Sequence, residues 1–370
     1  MFPSFFIDSN IIVYALLFLF LFPPFTFPAR NKHHNELLTE ITAAVENTTW
    51  HSFLRFLDAE KGNQINGMSE LKKYLQRFGY LDQNYPNLDG NNLNFNDIFD
   101  DKFESALEKY QTNLGLKKTG KLNIETMQSI MSPRCGVSDN SHNTLVHVTQ
   151  HYSYFSGEPR WTRNTPMTLK YAFLPNQTID YLPLPDIKTT FRRAFSRWSD
   201  VIPVNFKETE VVAKADIKIG FYGGDHGDGE AFDGVLGILA HSFSPENGRL
   251  HLDSAETWAV DFDKQRSKRA IDLESVATHE IGHILGLAHS SVKEAVMYPT
   301  ISPRSRKVDL RIDDVEGVQA LYGSNPNFSY TSLLESEHSD GWRIDFNGRG
   351  SSKWMITFSM VVLLVVSFIL

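Results

Sequence analysis

His279-Glu280-Ile281-Gly282-His283-Ile284-Leu285-Gly286-Leu287-Ala288-His289 carries the densest chemistry in this chain of 370 residues. Positions i and i+4 share one helix face, so His279 and His283 can grip a single ion. Glu280 projects beside them, placed to take a proton from water on that ion. Gly286 tolerates the left-handed conformation that ends a helix, which turns the chain and delivers His289 as third ligand. Three protein ligands leave one tetrahedral position for water, which separates a catalytic zinc from a structural one. With 13 histidines in the whole chain, a surface helix carrying this set by accident is a poor account.

Downstream, Ala295-Val296-Met297-Tyr298-Pro299 supplies a methionine just after His289. Upstream lies the lone cysteine, Cys135, within Pro133-Arg134-Cys135-Gly136-Val137-Ser138-Asp139. A single thiol makes no internal disulfide. The flanking Pro, Arg, Gly and Asp argue against a buried apolar position. A thiolate is a strong zinc ligand, so Cys135 is expected to fill the open fourth position and hold the centre latent.

These motifs together resemble the matrix metalloproteinase family of metzincin zinc endopeptidases (matrixins), in its plant-type layout, over roughly residues 65 to 325. Family members more often carry Pro where Ser138 stands. The resemblance implies Glu280 as catalytic base and His279, His283 and His289 as ligands of the catalytic zinc. It makes Cys135 their partner in the zymogen and Met297 the floor beneath the metal. It also implies a pocket walled by Pro299-Thr300-Ile301 and preferring an apolar side chain just after the cut. Ser275, one turn before His279, is small enough to leave that pocket open.

A second ligand-rich run precedes the zinc helix. His226, Asp228, His241 and His251 make a closed shell suited to a structural zinc. Asp233, Asp253 and Glu256, with carbonyls near Gly234, Leu236 and Ile238, offer hard oxygens for calcium. Order and spacing match the family's structural zinc and calcium loop. At a further calcium position Asp216 is present, but Arg249 stands where a carboxylate is usual, and a guanidinium cannot ligate a cation.

The fold expected is α+β: a metzincin catalytic domain of twisted mixed sheet plus helices, behind a small three-helix prodomain. Leu71, Tyr74, Leu75 and Phe78 recur at helical spacing, as do Phe103, Ala106, Leu107 and Tyr110, and then Ile124, Met127, Ile130 and Met131. The prodomain resembles a peptidoglycan-binding module. Thr168–Leu174 and Ala215–Phe221 alternate as strands, and Ile187, Phe191, Ala194, Phe195 and Trp198 line a helix. The expected divisions are a signal peptide (1–29), a propeptide with cysteine switch (30–150), the catalytic domain (151–325), a linker (326–353) and a hydrophobic anchor signal (354–370). Processing is expected after Asp139, between Asn140 and Gly157. Residues after Tyr322 are too few for a hemopexin-like propeller.

Ile11 to Phe22 is an apolar run too short to span comfortably, though its flank carries Asp8 and no base, so a signal anchor stays open. Sequons at Asn47, Asn176 and Asn327 agree with secretion. The apolar tail from Trp354 ends the sequence without basic residues, as in a glycolipid anchor signal, with Ser339 the candidate attachment residue. Gly348, Gly350 and Ser351 are rivals, and a retained helix is the alternative. Net charge is −8 with no basic cluster, which excludes a nucleic-acid footprint. The cofactors expected are Zn2+ and Ca2+, and the partners protein or peptide substrates, with the chain monomeric. Two other classes stay in view: a surface binding protein that keeps zinc for stability, and a zinc amidase acting on cell-wall material.

Overall fold

The computed structural model describes residues 50–82, 95–139, 151–164 and 166–331. The expected leader, Asn47, most of the Asn87–Asn96 stretch, much of the expected processing segment and the tail with Ser339 lie outside the described residues.

A 3-10 turn (His51–Phe56) precedes α1 (Met68–Arg77), α2 (Asp101–Asn113) and α3 (Ile124–Met131). Asp100 and Asn123 cap α2 and α3 by accepting from the backbone N–H of Phe103 and Thr126. The apolar stripes meet in one core around Leu71, Phe103, Leu107, Tyr110 and Met127. Trp50, Phe53 and Phe56 join it from the leading turn, where no helical stripe announces them. The same core runs on into Phe232, Ile238 and Tyr298 of the following domain, so the helical domain is packed onto its neighbour. Arg77 adds a polar tie, donating to the Ala231 carbonyl at 2.9 Å.

The second domain is built on a six-stranded sheet in the order β1-β5-β6-β4-β2-β3. Its strands are β1 (Arg134–Cys135), β2 (Met167–Phe173), β3 (Val204–Glu208), β4 (Ile217–Tyr222), β5 (Ile238–Ser242) and β6 (Arg249–Asp253). Pairing is parallel except between β5 and β6. A short pair, β7 (Trp258–Ala259) and β8 (Ile271–Asp272), leads into the zinc helix. The fold is α+β, as expected.

α4 (Leu184–Val201) lays Ile187, Phe191, Ala194, Phe195 and Trp198 into the core, and Trp198 Nε1 donates to the Thr278 carbonyl at 2.9 Å. α5 (Leu273–Ile284) is capped by Asp272, which accepts from Ser275 N at 2.8 Å. Every residue of α5 is buried, which is why this helix shows no two-faced pattern. α6 (Ile312–Tyr322) closes the domain. Its buried Asp314 accepts from the N–H groups of Val296 and Met297, holding the methionine turn against α5.

One expectation is corrected. The polar flanks of Cys135 argued against a buried apolar position, yet Cys135 and Arg134 are both buried. The segment is the edge strand β1, and its one cation has an internal partner, Asp139, 2.5 Å away. A paired charge can be buried where a lone one cannot.

Candidate metal centre and active site

α5 aims two imidazoles at one point, and the turn at Gly286 (φ 107°) brings the third. A Cβ at Gly286 would meet the Pro159 carbonyl, and one at Gly282 would meet Met297 Sδ, so both glycines allow close packing beneath the helix. His283 Nε2 lies 3.1 Å from His279 Nε2 and 3.2 Å from His289 Nε2. Cys135 Sγ lies 3.4 Å from His283 Nε2.

The other ring nitrogens are engaged. His279 Nδ1 donates to the Val296 carbonyl at 2.7 Å, and His283 Nδ1 to the Leu287 carbonyl at 2.8 Å. His289 Nδ1 faces Asp139 Oδ1 at 2.7 Å. With each proton on Nδ1, three Nε2 lone pairs converge with no hydrogen between them. Burial pushes all three imidazoles below their usual proton affinity, so they are neutral, the form that ligates. Tetrahedral zinc with bonds of about 2.0–2.1 Å requires nitrogens about 3.3–3.4 Å apart. The donor set therefore fits zinc, with sulfur as fourth donor.

Glu280 is fully buried, and neither carboxylate oxygen has a hydrogen-bond partner. Burial lifts it to about 7. An acid kept near neutrality is suited to proton transfer at working pH.

The second cluster converges on Asp228 Oδ2, with His226 Nε2 at 2.9 Å, His241 Nε2 at 2.8 Å and His251 Nδ1 at 2.8 Å. Burial holds His241 and His251 at about 4, and Asp228 lies below its usual range. Tyr222 and Phe232 stack on His226, with centroids 4.9 and 5.0 Å away, shielding the cluster. The four donors fit a closed structural zinc.

Residues 160–323 match the Matrixin family model, and residues 65–130 match a putative peptidoglycan binding domain. Metalloendoproteinase 1-MMP of Arabidopsis thaliana is 52% identical over 363 residues, covering 96% of this chain and 95% of that protein.

The chain belongs to the matrixin family.

Metalloendoproteinase 4-MMP of the same plant is 57% identical across 75% of this chain and 80% of its own length. Human matrix metalloproteinase-20 is 36% identical across 67% of this chain and 48% of its own. The chain is thus a zinc metalloendopeptidase with a prodomain, and matrixin cofactors are catalytic zinc, structural zinc and calcium.

In this matrixin the calcium ligands expected from sequence form a buried acidic loop. Glu256 Oε1 accepts from Leu236 N at 2.6 Å, and Asp233 Oδ1 from Ile238 N at 2.7 Å. Asp253 Oδ2 and Glu256 Oε2 are buried without partners. Burial raises Asp233, Asp253 and Glu256, the last to about 8. Unpaired buried carboxylates are costly unless a cation joins them, so the loop suits calcium. Gly234 and Leu236 both have positive φ, 95° and 60°, which bends the loop around these acids. Asp216 is occupied differently, accepting from Lys170 N at 2.8 Å beside Arg163 at 3.7 Å. Arg249 stacks on Phe243 at 3.8 Å.

A pocket opens beside the catalytic centre between α5 and residues 298–301, lined by Ser275, Val276, His279, Tyr298, Pro299 and Ile301 among others. Ser275 lines it, with its hydroxyl bonded to Asp272 at 2.6 Å. Lys307 also lines the pocket, and sequence reading missed it together with the roles of Asp139 and Asp314. Each acts through a tertiary contact that carries no spacing signal.

Proposed function

We propose that this matrixin is made as a latent, secreted zymogen that hydrolyses internal peptide bonds of extracellular proteins once its N-terminal segment is removed. The observation that carries the reading is the course of residues 133–136. This segment lies between β5 and residues 299–301 and brings the Cys135 sulfur to the three-histidine centre. Arg134 N and Gly136 N donate to the Gly237 and Ala240 carbonyls, while Cys135 N donates to Pro299 O and Ile301 N to Pro133 O, all at 2.8–3.1 Å. An extended chain is thus held on both sides by backbone bonds, the mode in which strand addition recognises peptides. Removing it frees the same donors and acceptors for substrate.

Zinc held by His279, His283 and His289 supplies Lewis-acid polarisation of the scissile carbonyl and a lowered proton affinity for water. Glu280 takes the proton of the attacking water and returns it to the leaving amine. The carbonyls of Val296 and Leu287 keep His279 and His283 in the ligating tautomer. Met297 packs beneath α5, and Asp314 keeps its turn in place. His226, Asp228, His241 and His251 would hold the structural zinc. Asp233, Asp253 and Glu256, with the Gly234, Leu236 and Ile238 carbonyls, would hold calcium. Ionic contacts at Asp216 favour no second calcium there.

Secretion is supported by the apolar leader and by the sequons at Asn176 and Asn327, both exposed. The apolar tail and its small-residue candidate Ser339 support a lipid anchor at the cell surface. Release from membranes by a phosphatidylinositol-specific phospholipase tests the anchor, and full retention refutes it. Latency is tested with Cys135→Ser, which is expected to cleave a generic peptide without processing and to lose that activity to a chelator. A mutant as silent as the unprocessed parent would remove the switch.

A further inference from the structure

The four donors of the second cluster stand on unequal supports. His241 and His251 face each other across β5 and β6, antiparallel neighbours inside the sheet. His226 and Asp228 sit on the loop after β4, where Gly227 and Gly229 take positive φ (81° and 89°) with open space around them. Hydrogen bonds beside these two ligands are local: Gly227 N donates to Asp225 at 3.1 Å and Glu230 N to Asp228 at 2.9 Å. A glycine-rich segment bonded mainly to itself opens readily.

The far end of this loop is held by the helical domain. Arg77, the last residue of α1, donates to the Ala231 carbonyl at 2.9 Å and lies 3.7 Å from Glu230. Phe232 is buried and belongs to the core of the helical domain. Its ring also stacks on His226, with centroids 5.0 Å and planes 17° apart, and lies 4.9 Å from the His241 ring. Phe232 therefore joins three things: the helical core, a ligand on the soft loop and a ligand on the sheet. Withdrawing the helical domain uncovers this ring and frees the Ala231 carbonyl, so the loop loses its outer anchor.

We propose that the helical domain clamps the structural zinc site as well as the catalytic one. Through Phe232 and Arg77 it holds His226 and Asp228 against His241 and His251, and processing loosens that grip. The coupling is reciprocal, so an ion bound by these four residues strengthens docking of the helical domain by the same factor. The inference rests on the zymogen reading above and adds a second metal site to what processing controls.

The test titrates unprocessed protein, and processed enzyme separated from its N-terminal segment, with a competing chelator whose colour counts the zinc removed. Catalytic zinc is followed apart, by reaction of Cys135 with a thiol reagent before processing and by loss of peptide hydrolysis after it. The remaining zinc is the structural ion. Its affinity is expected to be about tenfold lower after processing, within the ordinary range for coupled sites. Arg77→Ala changes only the helical domain and bonds to no ligand. Weaker structural zinc in this unprocessed variant, with Cys135 as protected as in the parent, is the expected result. Phe232→Leu, which stays apolar but removes the stacked ring, should move the same way. Equal affinity before and after processing overturns the inference. So does parental affinity in both unprocessed variants. A parent holding a single zinc before processing also overturns it, while the cysteine switch, tested separately by Cys135→Ser, is untouched.

Discussion

Asp139→Ala separates the thiol from the rest of the latency device. Asp139 Oδ1 meets Arg134 Nη2 at 2.5 Å and His289 Nδ1 at 2.7 Å, and Oδ2 accepts from Tyr80 at 2.8 Å. Burial alone would raise this acid, but Arg134 and His289 outweigh it and hold Asp139 at about 2 against an ordinary 3.8. That difference is worth about 2 kcal/mol. Alanine also strands the Arg134 guanidinium, fully buried 3.5 Å above the Phe78 ring. Breaking a buried pair in this way costs about 3–5 kcal/mol. The two routes bracket the loss, and about 3 kcal/mol corresponds to a population shift of roughly 10²-fold. The loss falls on the segment that holds the sulfur in place, since Asp139 joins β1, the helical domain and a zinc ligand. The unprocessed mutant is therefore expected to show roughly 10²-fold more peptide hydrolysis than the unprocessed parent, with Cys135 reacting correspondingly faster with a thiol reagent. Activity after processing serves as the reference. If hydrolysis before processing and thiol reactivity both match the parent, the buried pair does not hold the switch closed.

Glu280→Ala should keep two zincs per chain by metal analysis while kcat falls by about 10²–10⁴, the usual worth of a positioned proton acceptor; turnover near that of the parent would displace Glu280 from the role. The acidic loop makes a pH-dependent claim. Glu256 is raised from 4.5 to about 8, so the folded protein holds a proton there that the unfolded chain releases. Without calcium, stability should then decline as pH rises from about 5 to 8 and level off above. Calcium binds the ionised acids, so its effect on Tm should be small near pH 5 and large near pH 8. An equal calcium effect at both values would remove Glu256 from the site.

The sequence by itself determined the chemistry that is local. Ligand spacing on one helix, a glycine at the turn and a lone cysteine upstream suffice to specify a zinc centre and its fourth donor. Side chains four residues apart on a helix meet whatever surrounds them. The stripes of the helical domain were legible for the same reason, since period alone reports a buried face. Only the tertiary structure decided what depends on distant partners. It buried Arg134 by supplying Asp139 and placed β1 at the edge of the catalytic sheet. It brought Asp314 to the methionine turn and set Lys307 at the pocket wall, its ammonium bonded to the distant Lys293 carbonyl. The zinc helix shows the limit clearly: buried on every side, α5 carries no amphipathic signal, so only its ligands revealed it. Burial and pairing are set by all the elements packed around a residue, and a linear pattern records only the residue's own element.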